Sequence, residues 1–133
     1  FDPQVFAFDR ITATTETVAD GETVTIGDEQ FEAVHTPGHA DDHLAFVGDT
    51  ALFSGDVVVY NDGAFSDGSF GRTDRPGQDR ETLVESIQRL RDRTPASVTT
   101  LYAGHGDTYR GDVRAVIERA LARAERREPK YPD

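Results

Sequence analysis

The chain has 133 residues, a formal net charge of -11 at pH 7 and an isoelectric point near 4.6, a size that fits one domain with a modest core. So acidic a chain excludes nucleic-acid and anionic-membrane binding, which need basic patches. The absence of cysteine excludes a disulfide framework and thiolate chemistry, and no apolar run reaches the roughly 18 residues of a membrane span.

Periodicity predicts early strands at Val5 to Phe8 and Ile11 to Thr14. ETVTIGDEQFEAVHT then reads as a hairpin turning at Gly27-Asp28. Its second strand ends at Pro37-Gly38, because proline fixes φ and lacks a donor while glycine tolerates positive φ, so His39 falls on a turn. The same two residues rule out a helix that would align His35, His39 and His43 at intervals of four. HLAFVGDTALFSGD predicts a second hairpin turning at Gly48-Asp49 and ending at Ser54-Gly55-Asp56.

Tyr60 to Gly77, rich in Gly, Asp and Ser, reads as a long loop. Asp79 is the expected N-cap of a helix to about Arg93, with Leu83, Val84, Ile87 and Leu90 on one face. SVTTLYA is a strand that delivers His105 between Gly104 and Gly106, and a second helix is expected from about Asp112 to Arg127. This order predicts a sheet with helices on one face and an apolar opposite face left open.

Three times an apolar strand ends in a turn bearing a ligand-type side chain: His39, Asp56 and His105. Singly, each residue is more commonly an ordinary turn or surface residue. Together they suit zinc or a similar first-row divalent ion, with a carboxylate shared between two ions.

At these residues the chain resembles the metallo-β-lactamase fold superfamily, and within it the glyoxalase II-like hydrolases. Thr36-Pro37-Gly38-His39 matches the family's TPGH turn, LFSGD matches the strand ending in Gly-Asp, and AGHGD matches the later GH turn. GSFGRTDRPGQD, Gly68 to Asp79, resembles the loop and helix start of smaller glyoxalase-like members. The resemblance implies an α/β (α+β) fold, the C-terminal half of an αββα sandwich with a mostly antiparallel sheet flanked by helices. Residues 1 to 133 would then form one partial domain: strands over about 5 to 60, an active-site loop over about 60 to 77, and helix-strand-helix over about 79 to 127.

The family's His-x-His-x-Asp-His motif is absent, and the residues before His35 contain no histidine. The chain also begins at Phe1 and has no methionine, so the expectation is a C-terminal half whose partner is the missing N-terminal half of the same protein. The resemblance implies two zinc ions in an intact site, with iron or manganese as alternatives. His39 would hold the first, His105 the second, and Asp56 both, so that metal-activated water attacks an acyl substrate, a thioester in this branch. His43 is expected to support the ligands by hydrogen bonding, while Arg72 and Asp74 border the substrate loop. Asp107 stands where many hydroxyacylglutathione hydrolases carry an aromatic residue, which disfavours a glutathione thioester.

Other readings are a lactonase or persulfide dioxygenase on the same fold, or a non-catalytic half-domain that binds a partner. The expected compartment is the cytoplasm. Lys130 is the only lysine among 14 basic residues, which matches a salt-adapted, acidic surface. The tail residues Arg126, Arg127 and Lys130 read either as a contact for an acidic substrate or, as is more common for such a tail, as a solvent-facing cluster.

Overall fold

A computed structural model describes residues 19 to 40, 43 to 104 and 106 to 126. The expected strands at 5 to 8 and 11 to 14, His105, and the tail residues Arg127 and Lys130 lie outside the described residues. Eight strands and two helices are described: β1 Thr23–Ile26, β2 Glu29–His35, β3 Leu44–Val47, β4 Ala51–Gly55, β5 Val58–Val59, β6 Ser69–Phe70, α1 Arg80–Arg93, β7 Thr100–Ala103, β8 Tyr109–Arg110 and α2 Val113–Glu125.

The main sheet has the order β1-β2-β3-β4-β7-β8. Its neighbours are antiparallel except β4 and β7, which run parallel because the chain between them leaves the sheet through β5, β6 and α1. Both expected hairpins form: Ile26 pairs with Glu29 across Gly27-Asp28, and the Gly48 N–H donates to the Ala51 carbonyl to close the second. The parallel pairing of β4 with β7 brings the end of the Asp56 strand beside the strand that precedes His105.

Both helices begin at the aspartates that the sequence marks. The Asp79 carboxylate accepts the Thr82 N–H and the Asp112 carboxylate accepts the Ala115 N–H, each satisfying a donor that the first turn leaves without a helical partner. Leu83, Ile87 and Leu90 of α1 and Val113, Val116, Ile117, Ala120, Leu121 and Ala124 of α2 form one buried cluster with Val34, Ala45, Val47, Leu52 and Leu101 of the sheet.

Alternate residues of the same strands point the other way: Phe31 and Ala33, Phe46, Ala51 and Phe53, and Tyr102. These too are buried, Phe31 at 1% exposure and Phe53 at 0%, which corrects the expectation of an open apolar face. Phe53 stacks on Tyr102 at 4.9 Å between ring centroids and meets Phe31 edge-on at 5.3 Å. Apolar side chains on both faces make β3 and β4 read as continuous apolar runs, the pattern of strands covered on both sides.

The stretch from 60 to 77 differs from a plain loop as well. Ser69–Phe70 pairs antiparallel with β5, and Asp62 accepts hydrogen bonds from Ala64 N–H, Phe65 N–H and the Ser69 hydroxyl. Arg119 and Arg123 of α2 donate to the carbonyls of Ser66, Asp67 and Gly68, fixing the segment to the helix. β8, two residues long, is too short to show a periodicity in the sequence. No helix among the described residues is long and apolar enough to cross a membrane.

Candidate metal centre

The turn that carries His39 is docked on α1. The Asp79 N–H donates to the Gly38 carbonyl at 2.8 Å, and the buried Ser86 hydroxyl donates to the Pro37 carbonyl at 2.6 Å. Asp56 follows Gly55 at the end of β4. Between them, His39 Nε2 lies 3.8 Å from Asp56 Oδ2, with the two side chains 25% and 39% exposed.

That separation is too long for a hydrogen bond. His39 Nδ1 lies 2.9 Å from the Arg72 carbonyl oxygen, which can only accept, so Nδ1 carries the proton and donates. Gln78 Nε2 lies 3.4 Å from Nδ1, but an amide nitrogen is itself a donor and makes no hydrogen bond to the protonated Nδ1. A neutral imidazole so arranged turns the lone pair of Nε2 toward the Asp56 carboxylate. Two electron-pair donors facing one another call for a cation between them. A proton on Nε2 would satisfy that demand as an ion pair; a divalent ion would satisfy it and accept further ligands. Donors held about 2.0–2.2 Å from one tetrahedral ion stand roughly 3.4 Å apart, close to the separation here. The pair therefore fits as two ligands, with its histidine oriented by a carbonyl in the way ligating histidines usually are.

Two glycines make this approach possible. A Cβ at Gly71 would sit 2.6 Å from the Asp56 carbonyl oxygen and 2.7 Å from His39 Cγ. A Cβ at Gly104 would sit 2.6 Å from Asp56 Oδ1. One carboxylate oxygen of Asp56 thus faces His39 while the other faces the turn that leads from β7 into His105. The Gly104 N–H donates to the Gly55 carbonyl at 2.7 Å, joining those two strand ends directly.

His43 ties the arrangement together from behind. Its Nε2 accepts the Asp56 backbone N–H at 3.2 Å, so its Nδ1 is the protonated nitrogen and donates to Thr36 Oγ1 at 2.7 Å. The Thr36 hydroxyl in turn lies 3.4 Å from the His43 carbonyl. One imidazole therefore couples the base of the TPGH turn to the backbone of Asp56. His35 remains in β2, where its N–H donates to Asp20 and its carbonyl accepts from Arg89.

Of the three ligands expected from sequence, the structure brings His39 and Asp56 together, and His105 lies outside the described residues. Among the described residues no group of three His, Asp or Glu side chains is gathered as a metal would need. The Arg72 guanidinium forks onto Asp74, with Nε to Oδ1 at 2.7 Å and an Nη to Oδ2 at 2.8 Å, and these hydrogen bonds hold the Asp74 carboxyl down at about 2. Arg72 contributes its carbonyl to His39. The sequence carries no sign of that carbonyl or of the Thr36–His43 bond; the space at Gly71 and Gly104 is marked only by the glycines of GSFGR and AGHGD.

The family model described as "Metallo-beta-lactamase superfamily" matches residues 4–122. A hydroxyacylglutathione hydrolase of Hydrogenovibrio crunogenus is 34% identical over 95 residues, covering 71% of this chain and 31% of that protein. Among solved structures, the metallo-beta-lactamase family protein TTHA1429 of Thermus thermophilus superposes with a TM-score of 0.61 at 27% identity, covering 83% of this chain and 35% of the other. TTHA1623, solved in a di-iron-bound form, gives a TM-score of 0.56 at 30% identity over 77% of this chain and 45% of its own. The chain spans about a third of the length of the hydrolase from Hydrogenovibrio.

Proposed function

Because the chain belongs to the metallo-beta-lactamase superfamily, we propose that it forms part of a zinc-dependent hydrolase of the glyoxalase II-like class acting on thioesters. The observation that carries this reading is His39 Nε2 facing Asp56 Oδ2 at 3.8 Å while Nδ1 is committed to the Arg72 carbonyl. His39 and Asp56 would hold one ion, and Asp56 with His105 the other. Asp56 suits the shared role because its two oxygens face the two different turns. Bound metal supplies Lewis acidity to the substrate carbonyl and to the attacking water.

The chain's own contribution is preorganisation. The Arg72 carbonyl fixes the ring and tautomer of His39, and His43 fixes the backbone of Asp56, so neither ligand must reorganise on binding. The half-exposed side chains leave room for a substrate to enter. Residues 1 to 133 would be a partial domain, with the remaining ligands supplied by an N-terminal half carrying His-x-His-x-Asp-His, in a cytoplasmic protein.

A catalytic zinc usually keeps three protein ligands and water, so this chain alone should retain metal weakly and turn over negligibly. The test is zinc and iron content after dialysis, with hydrolysis assays on thioesters and lactones, for residues 1 to 133 and for the chain joined to an N-terminal half that supplies the motif. About two ions and thioester turnover in the joined protein only is the expected result. Two tight ions and turnover in residues 1 to 133 would overturn the partial site, and a metal-free joined protein would favour the non-catalytic half-domain. The di-iron form of TTHA1623, at 30% identity, favours iron as the second reading of the metal.

A further inference from the structure

The turn at 104–107 is held from its far side by a residue that the proposed ligand set does not include. Asn61 Nδ2 donates to Asp107 Oδ2 at 2.8 Å, and the Asp107 N–H donates back to Asn61 Oδ1 at 2.9 Å, a reciprocal clasp across 46 positions. The intervening Gly106, at φ +78°, packs so closely on the Asn61 carbonyl that no Cβ would fit there. Next door, Tyr60 stacks on Tyr109 with ring centroids 4.7 Å apart, and its hydroxyl donates to Asp67. The Tyr60-Asn61 pair thus grips the chain just after the turn, while the Gly55 carbonyl holds Gly104 at its start.

We infer that Asn61 is a positioning residue: it fixes the backbone on the C-terminal side of His105 and thereby sets how that histidine meets a metal shared with Asp56. The inference rests on the reading of His105 as a ligand given above. An amide is the side chain required, because one donor and one acceptor on the same carbon must meet a carboxylate and an N–H at once. Its own segment is stiff enough to serve as an anchor, since Asp62 and the α2 arginines hold it.

Cobalt(II) titration of the joined protein tests this, because the visible absorption of the ion reports the number and geometry of its ligands independently of activity. Asn61→Ala should weaken cobalt binding by about 10- to 100-fold, as loss of residues that orient ligands does, and should alter the spectrum. Asn61→Asp alone sets two carboxylates against each other and should behave similarly. The exchange N61D with D107N restores one donor facing one acceptor and the backbone bond, so affinity and spectrum should return to within a few-fold of the original. Wild-type affinity and spectrum in Asn61→Ala would overturn the inference. So would a double variant no better than the singles. A parent protein that binds no cobalt removes the metal reading itself, and this inference with it.

Discussion

The turn carrying His39 rests on buried structure: Thr36 beneath it is inaccessible, Ser86 of α1 and the helix's N-cap Asp79 hold its carbonyls, and Gly71 closes over the histidine ring. The turn at 104–107 is exposed at its described residues, and its far side is held by two reciprocal hydrogen bonds with Asn61. Neither turn has room for a Cβ at its glycines, but the first is seated on buried groups, while the second is completed by directed polar bonds, which tolerate solvent but demand particular donors and acceptors. Added volume at Gly71 should therefore damage the His39 side, and substitutions that change hydrogen-bond character should damage the Asn61 side.

The largest effect is expected for Gly71→Val. Its side chain would enter the space between His39 and the Asp56 carbonyl, and overpacking of this kind costs about 1–3 kcal/mol. Urea unfolding measures the loss, and an unchanged midpoint would show that the His39 side is not held by packing.

His43→Ala comes next, at about 2 kcal/mol, because the Asp56 N–H and the Thr36 hydroxyl lose their shared partner. Combined with Thr36→Val it should cost less than the two single changes together, since both act through one ring. Full additivity in the same unfolding measurement would mean that Thr36 and Asp56 are not coupled through His43.

A net charge of -11 adds a general term to both sides. Screening shortens the range of charge repulsion from about 30 Å at 0.01 M salt to about 3 Å at 1 M, so thermal melts should rise by several degrees between dilute buffer and molar potassium chloride. A flat or falling trend would count against salt adaptation.

The smallest effect concerns Asp74→Asn. The Asp74 carboxyl lies at about 2 in the folded chain against an ordinary 3.8, chiefly through hydrogen bonds from Arg72. A lowered folded value stabilises the fold fully above pH 3.8 and loses that contribution as pH falls toward 2. Melts of the parent protein should thus fall slightly more steeply between about pH 4 and pH 2 than those of Asp74→Asn, and only slightly, because the pair is solvent-exposed. Equal slopes would leave Arg72 without an energetic tie to Asp74.

Much of the frame was legible in the 133 residues. Asp79 and Asp112 announce the helices because a carboxylate before an apolar stripe satisfies helical N–H groups wherever it occurs. Pro37-Gly38 places His39 on a turn by local sterics alone, and Gly55-Asp56 ends its strand in the same way. The expectation of an open apolar face failed because strand alternation says which residues share a face and leaves unsaid what covers it.

What the sequence determined by itself is therefore local: element type, caps, turns, and the set of side chains able to bind a cation. The tertiary structure decided the rest. It chose which oxygen of Asp56 faces which turn, that Arg72 serves His39 through its carbonyl 33 positions away, and that Asn61 clasps Asp107. A carbonyl is common to every residue, and a hydrogen bond between distant segments has no periodicity. Such contacts become visible only when the sheet has set its register and the loops are brought within about 3 Å of one another.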